Sequence, residues 1–264
     1  MDTFKDLKIG FIGFGNMAQA IAYGFLRSGA LEGGQLYACA KNYDKLRANT
    51  ESRGIHPCET AAQAAEASDI VFIAVKPYMV ADVIGPIADI LKDKIVISVA
   101  AGVSFDDYEE ILTPGTRHIT TLPNTPVSVG EGIFILEEKH SLGGSFELVH
   151  SLLSTISLVH TVDSAHVSIA GTIAGCGPAF VSMFIEALGD AGVMHGLPRA
   201  LAYQLAGQMV AGTGKLLVET GNHPGAMKDA VCSPGGTTIV GVATLERKGM
   251  RSAVIDAIDA IERK

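Results

Sequence analysis

Residues 8–18 read Lys8-Ile9-Gly10-Phe11-Ile12-Gly13-Phe14-Gly15-Asn16-Met17-Ala18. An apolar run of strand length meets Gly-Phe-Gly and passes at once into a helical pattern. Ala18, Ile21, Ala22 and Phe25 fall on one face of that helix, and Ser28-Gly29 ends it. A strand that feeds a glycine turn and then a helix is how an α/β unit begins. Further strands are expected at 35–39, 70–75, 95–99, 117–122 and 133–136, and helices at 60–67, 79–91 and 144–157. This alternation predicts a parallel, doubly wound α/β sheet.

The pattern changes near residue 163. Beyond it no strand pattern is found, and helical periodicity runs through 179–191, 199–219 and 239–247. Breakers separate these segments: Gly196-Leu197-Pro198, Gly221-Asn222-His223-Pro224 and Ser233-Pro234-Gly235-Gly236. The expectation is therefore two domains, an α/β domain over 1–162 and an all-helical one over 163–264. In the second, Ala200, Leu201, Leu205, Ala206, Met209 and Val210 are apolar on several helix faces. Such helices must be buried, and about 100 residues offer too little core to bury them, so a partner subunit is expected to cover them.

Composition narrows the function. The 264 residues hold 20 Lys plus Arg against 28 Asp plus Glu, a net charge of −8 that disfavours a nucleic-acid partner. Mean hydropathy is high at +0.31. Yet the strongest apolar run, Ile70 to Val75, stops at Lys76-Pro77, far short of a membrane span. Acids at Asp2 and Asp6 stand where a secretory leader would carry bases. The four cysteines (Cys39, Cys58, Cys176, Cys232) form no CxxC, and the eight histidines show no ligand spacing. No disulfide framework, no metal and no membrane are expected, and the setting is read as cytoplasmic.

The Gly13-to-Ala18 loop carries the chemistry. The first glycine allows the tight turn, the second lets a pyrophosphate approach the backbone, and Ala18 keeps the helix close to its strand. Free N–H groups of the helix start, at Asn16 and Met17, then hold phosphate. The loop thus reads as the dinucleotide fingerprint of a Rossmann-like domain. An NAD site usually places Asp or Glu after the second strand, to bind the ribose hydroxyls. Here that strand ends Ala38-Cys39-Ala40-Lys41-Asn42, with no acid until Asp44. A 2′-phosphate suits Lys41 and Asn42 better than it would suit a carboxylate, so NADPH is expected, with NADH left open. The alternative is that Lys41 is a solvated loop lysine.

Other residues carry less. Ser233 to Ile239 puts Pro and Gly-Gly before a helix with two threonines at its start; a plain threonine-capped loop reads the same way. Lys76 follows a buried strand at the ligand-binding edge of such sheets and is read as structural or cofactor-adjacent. Asn124 either presents its amide to the nicotinamide end or caps a turn. Glu186 and Asp190 share a helix face that is expected to be solvated.

Taken together, these stretches resemble the pyrroline-5-carboxylate reductase family. The resemblance rests on Ser233-Pro234-Gly235-Gly236-Thr237-Thr238-Ile239 with Leu245-Glu246 and Gly249-Met250-Arg251, and on Ile12 to Ala18, Ala74 to Pro77 and Ala100 to Val103. Pro123 to Pro126, Gly175 to Ala179, and Asp190-Ala191-Gly192 through Gly196-Leu197-Pro198-Arg199 extend it from about residue 8 to 254. Cys176, where serine is common, and Met250, where an aromatic is common, depart from the pattern without removing a needed group.

The resemblance implies NAD(P)H-dependent reduction of a cyclic imine to L-proline. It also implies a helical domain that interlocks with a twofold mate, with a larger ring left open. Expected cofactor contacts are Ile12, Gly13, Gly15, Asn16 and Met17; Ala40, Lys41 and Asn42; Ala74, Val75, Lys76 and Pro77; Val99, Ala100 and Ala101; and Asn124. Ser233, Gly235, Gly236, Thr237 and Thr238 would close the substrate pocket, with Thr238 donating a hydrogen bond to the imine nitrogen and backbone N–H groups around Gly236 and Thr237 holding the carboxylate. Competing readings are a β-hydroxyacid dehydrogenase or another imine reductase, and a non-catalytic NADP-binding sensor. The dehydrogenases use a lysine of the helical domain, and Lys215 and Lys228 stand in no matching motif.

Overall fold

The computed structural model describes residues 4–263, so the first acid of the leader argument, Asp2, lies outside the described residues. The chain opens with β1 (Ile9–Ile12), α1 (Asn16–Ser28), β2 (Leu36–Cys39), α2 (Tyr43–Thr50), β3 (His56–Cys58), α3 (Ala61–Glu66) and β4 (Ile70–Ile73). It continues through α4 (Val80–Ile84), α5 (Ala88–Leu91), β5 (Ile95–Ser98), α6 (Phe105–Ile111), β6 (Arg117–Pro123), β7 (Gly132–Glu137), α7 (Phe146–Leu153) and β8 (Ser157–Val162). Among the described residues, only helices follow: α8 (Val167–Met194), α9 (Arg199–Thr220), α10 (Pro224–Ala230), α11 (Thr237–Arg247) and α12 (Met250–Glu262).

The eight strands form one sheet in the order β3-β2-β1-β4-β5-β6-β7-β8. Neighbours from β3 to β6 are parallel, which is the doubly wound order with its reversal between β1 and β4. Side-chain alternation along the strands divides the core. Ile9, Phe11 and Phe72 pack on one face, while Ile12, Val71, Ile73 and Val96 pack on the other.

The expected all-parallel sheet needs one correction. β7 runs antiparallel to β6, because the eight residues between Pro123 and Gly132 are too few for a parallel crossover. Two edge strands also escaped the sequence reading. β3 is polar with Pro57 inside it, which an edge strand tolerates, and half-exposed β8 takes the end of the segment expected as helix 144–157. The expected helix 79–91 is broken by a 3₁₀ turn at Gly85–Ile87, where Pro86 supplies no backbone donor.

The chain divides into two compact units, 1–175 and 176–264, inside α8. The last strand ends at Val162 and α8 begins at Val167, well ahead of the start expected near 179. That helix carries Pro178 in its interior, so Ala174, four residues earlier, loses its helical donor. Asn124 Nδ2 donates to the Ala174 carbonyl instead, at 3.1 Å. In the second unit, only Gly189, Ala202 and Ala206 are buried among the described residues. Gly189 on α8 leaves room for the ring of Tyr203 on α9, and a Cβ there would strike it. Large apolar side chains stay exposed, among them Met194 (83%), Val218 (79%) and Met183 (68%).

Candidate active site

A cleft of about 720 Å3 lies along the carboxyl ends of β1, β2, β4 and β5, on both sides of the point where strand order reverses. Open α/β sheets bind ligands there, because the loops after the strands part in opposite directions. Its walls are the glycine loop after β1, Ala40 to Asn42 after β2, Ala74 to Pro77 after β4 and Val99 to Ala101 after β5.

The glycine loop leaves open space in front of a helix start. Gly13 adopts φ +91°, and its N–H donates to the Cys39 carbonyl at 3.0 Å. A Cβ on Gly13 would sit 2.6 Å from the Ala74 carbonyl oxygen, whereas a Cβ on Gly15 would meet nothing within 4 Å. One glycine is thus required by the protein's own packing, and the other leaves open space in front of the helix. α1 starts from Gly15 with no side-chain cap and no acid in its first turn, so its terminal N–H groups and positive dipole end face the cleft uncompensated. The Gln19 amide donates to the Phe14 carbonyl at 2.9 Å and so braces the loop from inside the helix.

At the far end, Asn42 caps α2, its Oδ1 accepting from the Lys45 N–H at 2.9 Å. That cap turns exposed Lys45 onto the cleft beside exposed Lys41. Asn42 therefore orders the helix start with its oxygen, and two ammonium groups supply the positive charge. Lys45, Gln19 and Asn49 also line the cleft and were not picked out in the sequence. The signal for Lys45 is its place in the first turn of a helix that Asn42 caps.

Two expected contacts lie off the cleft lining. Ile12 is fully buried in β1, its carbonyl accepting from the Ala74 N–H at 2.8 Å. Asn124 is buried and both ends of its amide are engaged: Oδ1 accepts from the Ile133 N–H at 2.8 Å, and Nδ2 serves Ala174. The amide thus bridges Ile133 and Ala174, a role that neither expectation named.

In the second unit, Ser233 to Gly236 forms a largely exposed loop leading into α11, whose first residues are Thr237 and Thr238. Gly235 takes φ +69°, and the Gly236 N–H donates to the Ser233 carbonyl at 3.0 Å. That bond removes Gly236 as a carboxylate donor. The N–H groups of Thr237 and Thr238 open an uncapped eleven-residue helix with no acid in its first turn, and they remain to serve an anion. Lys228 lies against Asp229, whose hydrogen bond holds the ammonium above its ordinary value, and Lys215 lies 3.8 Å from Glu219. Asp190 and Arg199 likewise pair with each other. Among the described residues, no group of three or more His, Cys, Asp or Glu side chains could hold a metal ion.

Two family descriptions match the chain. Residues 164–264 match pyrroline-5-carboxylate reductase dimerisation, and residues 8–102 match NADP oxidoreductase, coenzyme F420-dependent. The chain is 44% identical over 259 residues to the pyrroline-5-carboxylate reductase of Treponema pallidum, covering 96% of this chain and 98% of that one. It is 41% identical over 253 residues to the Escherichia coli enzyme of the same name, covering 95% and 94%. The crystal structure of Plasmodium falciparum pyrroline carboxylate reductase with NADP bound superposes with a TM-score of 0.86 at 29% identity, covering 97% and 96%.

Proposed function

The chain belongs to the pyrroline-5-carboxylate reductase family, and from that premise we propose that it reduces 1-pyrroline-5-carboxylate to L-proline with NADPH, by hydride transfer to the imine carbon. The observation that carries this reading is the strand-end cleft with its open Gly15, its uncapped α1 and its two lysines. These residues fit NADPH, which would supply the hydride when bound. The α1 N–H groups hold the pyrophosphate. Lys41 and Lys45 neutralise the 2′-phosphate. Ala74 to Pro77 and Val99 to Ala101 line the ribose and nicotinamide.

The substrate is assigned to the loop from Ser233 to Thr238 in the domain we bound at 163–264. Its carboxylate is held by the Thr237 and Thr238 N–H groups. The Thr238 hydroxyl donates to the imine nitrogen, which is basic enough that no stronger acid is needed. Holding the ring against the nicotinamide face then supplies much of the rate enhancement.

The protein oligomerises through residues 164–264, the segment that matches the dimerisation family. We assign its exposed apolar surface to a second copy that interlocks with the first. Grooves of about 520 Å3 lined by Val242, Leu245, Met250 and Val254, and of about 600 Å3 lined by Leu216, Leu217, Met227 and Val231, are the seats for that copy. By length and composition α8 could also cross a membrane. We place it at the dimer interface because that family match runs through it. Four unpaired thiols suit a reducing cytoplasm.

The test is NADPH oxidation by the purified protein with 1-pyrroline-5-carboxylate, run beside NADH and the six-membered cyclic imine. NADPH-dependent turnover of the five-membered ring is expected. Faster use of NADH would overturn the lysine assignment, and no turnover of either ring would overturn the reaction.

A further inference from the structure

The Val99–Ala101 wall of the cleft is held from behind by a buried hydroxyl pair. Ser98, the last residue of β5, is buried, and its Oγ accepts from the Ala100 N–H at 3.2 Å. The fully buried Tyr108 hydroxyl donates to the same Oγ at 2.7 Å. From the neighbouring strand, Thr121 Oγ1 donates to the Ser98 carbonyl at 2.7 Å. Ser98 thus takes three hydrogen bonds, one of them from the cleft wall itself.

Tyr108 is fixed in its turn. It stands on α6, whose start is locked by a reciprocal cap. The Asp107 N–H donates to Ser104 Oγ at 3.2 Å, and the Ser104 N–H donates to the Asp107 carboxylate at 2.8 Å. His118 of β6 stacks on Phe105 with ring centroids 4.3 Å apart, and its centroid lies 6.0 Å from that of Tyr108. His118 Nε2 pairs with Glu109, the residue after Tyr108. Its Nδ1 is buried without a hydrogen-bond partner. Burial pushes the Tyr108 phenol up to about 12, so it stays a donor across the working pH range.

We infer that Tyr108 is a positioning residue for hydride transfer, acting through the Ser98 hydroxyl on the backbone of Val99 to Ala101. The inference rests on reading that segment as the nicotinamide wall. Tyr108 does not line the cleft. It sets where the Ala100 peptide stands, and hydride transfer is sensitive to small displacements of the ring that this peptide supports.

The experiment compares the unsubstituted enzyme with Tyr108→Phe, Ser98→Ala, Ser98→Thr and the Tyr108→Phe/Ser98→Ala double variant. It measures kcat, KM for each substrate, the primary isotope effect with deuterated NADPH, and the melting temperature. Tyr108→Phe keeps the ring and its packing. It is expected to lower kcat roughly three- to tenfold and to enlarge the isotope effect, with KM for the imine unchanged. Ser98→Ala should reproduce the loss, Ser98→Thr should restore kcat, and the double variant should lose no more than either single one. A lowered melting temperature with kcat and isotope effect unchanged would overturn the inference, as would additive losses. Should Tyr108→Phe fail to fold, the contrast between Ser98→Ala and Ser98→Thr decides alone. Failure of the unsubstituted enzyme to oxidise NADPH with the imine would sink the functional reading, an outcome distinct from variants that match an active parent.

Discussion

Replacing Asn124 by alanine separates a brace from a cofactor ligand. The side chain is buried and makes two hydrogen bonds, accepting from the Ile133 N–H at 2.8 Å and donating to the Ala174 carbonyl at 3.1 Å. Alanine removes both and leaves two backbone groups without their partner. The Ala174 carbonyl cannot recover its helical donor, because that donor position is Pro178. A buried group stranded in this way costs about 1–3 kcal/mol, so Asn124→Ala is expected to lose about 2–5 kcal/mol of stability. At about 2–4 °C per kcal/mol for a chain of this size, the melting temperature should fall by roughly 5–15 °C.

The assay is thermal unfolding followed by circular dichroism at fixed protein concentration, since an oligomer's stability depends on it. NADPH affinity is measured by fluorescence well below the transition. Affinity should stay within about twofold of the parent. Asn124→Asp keeps the acceptor for Ile133 but sets a carboxylate against the Ala174 oxygen. That carboxyl is protonated more readily in the folded state than in the unfolded one, so the variant's stability should rise as pH falls towards the carboxylate range. An unchanged melting temperature together with roughly tenfold weaker NADPH binding would refute the reasoning and return Asn124 to the cofactor.

Three further outcomes are expected. Lys41→Ala and Lys45→Ala should each raise KM for NADPH roughly tenfold while leaving KM for NADH unchanged, and equal effects on both cofactors would remove the 2′-phosphate from the account. Thr238→Ala should lower kcat roughly tenfold or more with NADPH binding intact, and Thr238→Ser should restore it; steady-state kinetics at saturating NADPH check this. Burial holds the Cys39 thiol at about 11 and the Tyr108 phenol at about 12 in the folded protein, so both keep protons that the unfolded chain sheds near its ordinary values of 9.0 and 10.0. Stability should therefore decline as pH rises from about 9 towards 12, on the order of 2–3 kcal/mol for each group, and urea midpoints that stay flat across that window would count against both burials.

What residues 8–18 specify is local, and it was legible. A strand, a glycine turn and a helix start follow from near neighbours, and the structure forms all three. The same holds for the absence of an acid after β2, and for the loss of strand pattern beyond Val162, which the structure repeats. Where neighbours a few residues apart do not decide the outcome, the sequence was silent or misleading. β3 and β8 are edge strands, too polar and too half-exposed to show a core-facing period. Lys45 joins the site only because Asn42 starts a helix that turns it onto the cleft, and the antiparallel turn of β7 follows from loop length rather than from strand composition.

Asn124 shows the division most clearly. Its place between two prolines left it either a nicotinamide contact or a turn cap. What its amide serves is a carbonyl 50 residues away, deprived of its donor by Pro178. Backbone propensity and side-chain period are properties of a few adjacent residues and can be read in order along the chain. Which distant polar groups must satisfy one another depends on how strands and helices pack, and the tertiary structure alone decided that.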